Sequence, residues 1–251
     1  MLPSLTDALI IIAAGLVAGF FNTIAGGGSL ISMPILIFLG LQPTVANATN
    51  RVALVAQNIS AVAGFKSKGI SDFSYSLWLG LAALPGGVMG AIVAEKIDGP
   101  LFNKILAVIM VGVVIYTIFQ RKREEKGEAD MRPVRKWLGF VAMFFIGFYG
   151  GFVQAGVGFI IIAALGNIHG LGLVRINAIK VFVVLIYTIA AVITFAWLGV
   201  VNWYYGLILA IGNAAGGWIS SRLSVKKGDK FVRAIMLVTV IALAIKLFFF
   251  K

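Results

Sequence analysis

The sequence predicts an all-α polytopic membrane protein made of two inverted repeats, each a glycine-broken helical hairpin plus three transmembrane helices. Three observations carry this prediction. The first is composition: 61% of the 251 residues are hydrophobic, 12% are charged, and mean hydropathy is +1.03. Soluble domains carry about a quarter charged residues, so this balance places the chain in a bilayer. The second is a pair of interruptions at matching places. Ala25-Gly26-Gly27-Gly28-Ser29 breaks an apolar run from Ala8 to Gly40, and Ala155-Gly156-Val157-Gly158-Phe159 breaks another between Trp137 and Ile168. The third is the distribution of loop charge, which decides how the halves are oriented.

Apolar segments run over approximately 8–24, 29–40, 45–65, 73–94 and 100–119, then 137–155, 159–168, 174–198, 203–222 and 230–250. Several reach the ~20 residues needed to cross about 30 Å of hydrocarbon. Between the two sets lies the most polar stretch, 120–136, with Arg121, Lys122, Arg123, Lys126, Arg132, Arg135 and Lys136. It divides the chain into a first membrane repeat (1–119), a basic connector (120–136) and a second membrane repeat (137–251). The positive-inside rule makes the connector cytoplasmic. The start, Met1 to Asp7, has no Lys or Arg, so it lacks the positive region of a signal peptide and reads as a retained membrane segment.

The halves repeat at a spacing near 130 residues. Gly19-Phe20-Phe21-Asn22 matches Gly147-Phe148-Tyr149-Gly150, and Gly26 and Gly28 match Gly156 and Gly158. Arg51 falls opposite Lys180, and Gly86-Gly87 opposite Gly216-Gly217. If each broken run crossed the membrane once, Arg222, Lys226, Lys227 and Lys230 would face away from the basic connector. If each break is the tip of a hairpin, that loop becomes cytoplasmic together with Lys66 and Lys68. The Gly199 to Asn202 turn, without Lys or Arg, becomes external. Charge bias therefore favours five elements per half and an inverted repeat. The second legs, 29–40 and 159–168, are too short to span and read as half-helices starting inside the protein.

A helix broken within the membrane frees backbone groups that only protein or a ligand cavity can satisfy. The restarted helix points its free N–H groups and positive dipole end at that place, which favours an anion. Matching breaks in two halves are the sequence pointer to a transporter's binding site; the plainer alternative is that the glycines only allow close helix packing. Arg51 and Lys180 each lie about six residues inside an apolar segment, roughly 9 Å deep at the helical rise. Ionisable groups at that depth are functional candidates, against the alternative of snorkelling to the headgroups. Asn58 follows Arg51 by seven residues and Tyr187 follows Lys180 by seven, so each pair shares a helix face. Around Arg51 lie Asn47, Thr49, Asn50, Gln57, Asn58 and Ser60, which suit an oxyanion or serve as interhelical glue. Asn22 and Gln154 immediately precede the breaks, and Ser29 starts a half-helix, where its hydroxyl caps the helix or touches ligand. The candidate substrate-binding set is therefore Asn22, Gly26, Gly27, Gly28, Ser29, Asn50, Arg51, Asn58, Gln154, Gly156, Gly158, Lys180 and Tyr187.

The nine acidic residues lie in loops or near segment ends, which argues against proton coupling through a buried carboxylate. Sodium at the backbone carbonyls of the breaks stays open. There is no cysteine and a single histidine, His169, so no metal site is expected. Enzyme signatures are missing, no cofactor is called for, and nothing but the net charge of +12 would suggest nucleic acid. The Gly15/Gly19, Gly86/Gly90, Gly147/Gly151 and Gly212/Gly216 pairs mean close helix packing, within one chain or in a homodimer.

The stretch from Gly19 to Gly28 followed by Pro34 resembles the first-repeat signature of the TauE/SafE sulfite exporter family. Ala48-Thr49-Asn50-Arg51 and Gly64 to Gly69 resemble it as well, and Gly147-Phe148-Tyr149-Gly150-Gly151-Phe152 with Gly156-Val157-Gly158 resembles its second repeat. The resemblance implies a multi-pass carrier in the cytoplasmic (inner) membrane of a bacterium or archaeon, moving sulfite, sulfonates or related small anions, often outward. The expected mechanism is alternating access around a midplane site between the two glycine tips. An anion channel, a small-carboxylate carrier and a non-transporting membrane scaffold are the alternatives.

Overall fold

The computed structural model describes residues 5–70, 73–102, 104, 105, 108, 112 and 133–249. The basic connector as far as residue 132, and most of the 100–119 segment, lie outside the described residues. Every long element described is an α-helix: α1 (Leu5–Ile24), α2 (Ser29–Phe38), α3 (Pro43–Lys66), α4 (Phe73–Glu95), α5 (Pro133–Phe152), α6 (Val157–His169), α7 (Leu173–Trp197) and α8 (Trp203–Phe249). By length and composition, Leu5–Ile24, Ser74–Glu95 and Leu173–Trp197 can each cross a membrane. Large apolar side chains face outward along them: Leu9 is 60% exposed, Trp78 61% and Trp197 88%. That is the surface a lipid solvent requires, and the chain is a polytopic helical membrane protein.

The expected breaks are present. At the helical rise α2 and α6, of 10 and 13 residues, are about 15 and 20 Å long, short of a bilayer core. Each turns back along the helix before it. A Cβ on Gly28 would stand 2.1 Å from the Ala18 carbonyl oxygen, and Gly139 lies beside His169 at the far end of α6.

One boundary differs from expectation. The basic stretch Arg222 to Lys230 is helical up to Lys227 rather than a loop. The direction changes at Gly228, whose φ of 73° and ψ of −174° are non-helical. Lys, Arg and Ser do not themselves end a helix; the glycine does, because it alone takes that conformation cheaply. Asp229, just after the turn, accepts the Leu173 and Val174 N–H groups at 2.6 and 2.8 Å and so caps α7.

Helices of the two halves interleave through glycine seams. Gly15 and Gly19 of α1 face Leu209 and Asn213, while Gly212 and Gly216 of α8 face Ile12, Leu16 and Phe20. The other half repeats the arrangement: Gly86 and Gly90 of α4 lie on Phe144, Phe148 and Phe152, and Gly147 and Gly151 of α5 lie on Ala83 and Gly87. In both seams residue numbers rise together, so α1 runs parallel to α8 and α4 to α5. The glycine pairs thus serve packing inside one chain. A Cβ at Gly212 would sit 2.0 Å from the Ile12 carbonyl oxygen, a backbone atom that cannot swing away. Gly212→Leu is expected to cost well over about 3 kcal/mol, the upper end of ordinary overpacking, and to remove the monodisperse peak in detergent size-exclusion chromatography. Leu207→Ala, on the exposed face of the same helix, should leave that peak in place.

Candidate functional site

The two broken ends meet at the centre. Gly26 and Gly158 pack backbone to backbone, and a Cβ on either would stand 2.2 Å from the other's Cα. Beside this contact is a small cavity lined by Asn22, Gly26, Asn58, Gln154, Val157, Gly158, Lys180 and Val184. Its volume of about 10 Å³ is room for about one water molecule. Six of the thirteen sequence-predicted residues converge on it. Val157 and Val184, the apolar wall, were not anticipated; apolar residues in an apolar chain carry no distinguishing signal.

Each broken helix leaves C-terminal carbonyls without intrahelical partners and a negative dipole end. The opposite half supplies the donors. Arg51 on α3 donates through Nη1 to the Gly150 carbonyl and through Nη2 to that of Gly151 at 3.0 Å. Asn47 Nδ2 donates to the Phe152 carbonyl at 2.9 Å. On the other side, Lys180 on α7 donates to the Asn22 and Thr23 carbonyls at 3.1 and 2.8 Å, and Asn177 Nδ2 to that of Ile24 at 2.9 Å. These are the same contacts with the halves exchanged. Burial without escape to headgroups, 0% exposed for Arg51 and 2% for Lys180, excludes snorkelling as the reason for either charge.

The two ends are not equally filled. Arg51 also donates to Asn47 Oδ1 at 3.0 Å and to Gln154 Oε1 at 2.6 Å, and its guanidinium lies 5.9 Å from the Phe195 ring centroid. Asn177 Oδ1, the counterpart of Asn47 Oδ1, has no partner, because the shorter ammonium group of Lys180 is spent on backbone.

The tips differ as well. Gly26 and Gln154 occupy the same place: their N–H groups return to the Phe21 and Tyr149 carbonyls, and both have positive φ, 89° and 67°. Equivalence here falls at a spacing of 128 and pairs Gly26 with Gln154, whereas sequence matching paired Gly26 with Gly156. A left-handed conformation costs a non-glycine residue about 1–2 kcal/mol. Gln154 is held in it by Arg51 and by Tyr187, whose hydroxyl donates to the same Oε1 at 3.0 Å. Tyr149 bonds its hydroxyl to the Ala155 carbonyl across the second tip.

The other predicted residues, together with Asn22 and Asn58 of the cavity wall, tie the tips to their surroundings. Asn22 bridges the first break, accepting the Gly28 N–H at 3.2 Å and donating to Gln57 Oε1 at 3.0 Å. Gln57 in turn donates to the Thr23 hydroxyl at 3.3 Å. Ser29 does not cap α2, whose N-cap is Gly28 without a side-chain bond; its hydroxyl accepts Asn50 Nδ2 at 3.2 Å. Asn50 also takes the Ser32 hydroxyl at 2.7 Å, so it joins α3 to α2 and does not line the cavity. Asn58 lines the cavity while donating to the Leu54 carbonyl at 2.8 Å. Gly27 and Gly156 are buried in the tips, and Gly156 starts α6 from a left-handed φ of 74°. Asn177 was missed, although it falls 130 residues after Asn47, a signal the repeat contained.

The family model for the sulfite exporter TauE/SafE matches residues 11–247. Among curated relatives, a probable membrane transporter protein, ORF9, of Sinorhizobium sp is 28% identical over 93% of this chain and 89% of its own. The probable membrane transporter protein YfcA of Escherichia coli K12 is 26% identical over 98% of this chain and 91% of its own. YunE of Bacillus subtilis, also named a probable membrane transporter protein, is 21% identical over 96% and 97%. No solved structure matches significantly. With a match across nearly its whole length and buried polar tips at the places that carry the resemblance, the chain belongs to the sulfite exporter TauE/SafE family of membrane transporters.

Proposed function

We propose that the protein is a secondary carrier of small oxyanions, of the sulfite and organosulfonate kind, working by alternating access in the cytoplasmic membrane. The observation that carries this reading is the buried cavity where two broken-helix tips touch, walled by amides, glycine backbone and the ammonium of Lys180. Polar groups converging deep in a membrane protein mark a substrate path. A cavity of about 10 Å³ is too small for a sulfur oxyanion, so the tips must part to admit one. This geometry supports an occluded state.

An inverted repeat accounts for the exchanged contacts. α3 and α7 occupy equivalent places in the two halves and lie antiparallel: Arg51 meets Phe195, and Phe65 clusters with Val181. The parallel α4–α5 pair places the ends joined by the 96–132 connection at opposite ends of that pair, in keeping with five elements in the first half. Lys66, Lys68, Arg222, Lys226 and Lys227 then share the cytoplasmic side with the basic connector. The frames around the two tips would move as bodies against each other, since Arg51 and Lys180 tie each tip to the opposite half.

The test is counterflow in proteoliposomes. Vesicles loaded with unlabelled sulfite should accumulate labelled sulfite transiently above its external level. Saturable uptake without counterflow would overturn the alternating-access mechanism, and non-saturating flux would make the protein a channel.

A further inference from the structure

Resting on the oxyanion-carrier reading, we infer that the site is built for a single negative charge: Lys180 is its charge ligand, Gln154 its neutral donor, and anions of charge −2 are discriminated against.

Charge counting around the cavity carries this. Of the eight lining residues, Lys180 is the one that ionises. Arg51, the other buried Lys or Arg among the described residues, does not line the cavity. Its four bonds go to Gly150, Gly151, Asn47 and Gln154, so its charge is spent on a helix end and two side-chain amides. An ammonium group has three N–H donors. Lys180 uses two on the Asn22 and Thr23 carbonyls, which leaves one for a guest in the cavity that it lines.

Gln154 complements it. Arg51 and the Tyr187 hydroxyl both donate to its Oε1. A guanidinium can only donate, so the amide orientation is set, and Gln154, which lines the cavity, has its NH2 group left to donate. Asn22, by contrast, has its Oδ1 committed to Gly28 and its Nδ2 to Gln57.

One ammonium balances one negative charge. A dianion would leave an unbalanced charge away from water, whose cost is far above that of an unpaired neutral group. Methanesulfonate and sulfate separate the two cases cleanly, because they share a tetrahedral sulfur and differ by a methyl in place of a charged oxygen.

The experiment is binding of radiolabelled methanesulfonate to the purified full chain in detergent at fixed ionic strength, competed with unlabelled methanesulfonate or sulfate. Sulfate is expected to compete at least about thirtyfold more weakly, the smaller end of the range for a buried unpaired charge. Lys180→Met should weaken methanesulfonate binding by a similar factor, and Lys180→Arg should keep both binding and preference for the monoanion. Sulfate competing as well as methanesulfonate would overturn the single-charge inference while leaving an oxyanion site standing. Saturable binding unchanged in a folded Lys180→Met protein would remove Lys180 as the ligand. No saturable binding of either anion would bring down the carrier reading, and this inference with it. Should Lys180→Met fail to fold, the wild-type competition still decides.

Discussion

Arg51→Met is expected to yield no folded protein, or one that melts far below the wild type. The substitution keeps length and apolar packing but strips the donors from four acceptors at once: the Gly150 and Gly151 carbonyls, Asn47 Oδ1 and Gln154 Oε1. Tyr187 still serves Gln154 Oε1, so the other three lose their Arg51 donor; each buried polar group left unpaired costs about 1–3 kcal/mol, and the total reaches the lower end of an ordinary domain's whole stability. Arg51→Lys should recover part of this, because an ammonium can still reach one or two carbonyls, as Lys180 does at the other helix end. Melting followed by detergent size-exclusion or tryptophan fluorescence gives the order wild type, Arg51→Lys, Arg51→Met. Equal stability of wild type and Arg51→Met would mean that the α5 carbonyls are satisfied by something other than Arg51.

Gly26→Val is expected to abolish transport. Two costs add at this residue. A φ of 89° is a conformation that a β-branched residue avoids, at about 1–2 kcal/mol. The new Cβ would also overlap the Gly158 backbone, 2.2 Å from its Cα, and overpacking adds about 1–3 kcal/mol. The strain falls on the contact between the tips, so uptake should fall to the level of empty vesicles even where folded protein survives. Gly40→Ala is the control for backbone strain alone: φ is 92° there, with open space around the new Cβ. It should lower the melting temperature modestly and leave uptake measurable. If Gly26→Val carried substrate normally, the tip contact would have no part in transport.

Much of this protein was legible before any coordinates. Bilayer residence follows from composition, since 12% charged residues cannot clothe a soluble surface. The breaks at Gly26–Gly28 and Gly156–Gly158, the short second legs and the repeat follow from glycine chemistry and hydrophobic length, which are local properties. The glycine pairs announced close packing, and Asn22, Asn58, Gln154 and Lys180, singled out because polar residues in such a chain have few other reasons to be there, line the cavity beside the tips.

What only the tertiary structure decided concerns partners. Nothing local says that Arg51 spends its donors on carbonyls about a hundred residues away, so a residue expected at the ligand belongs to the frame. Ser29 and Asn50 likewise turn to each other. Nor does local sequence reveal that the tips touch, that Gln154 stands where the other tip has Gly26, or that Gly228 rather than the charges around it turns α8. Hydrophobicity and backbone propensity are carried by each residue, so the chain alone determined where it meets lipid and where its helices break. Hydrogen bonds need two groups, and the second group is set by which helices the fold brings together.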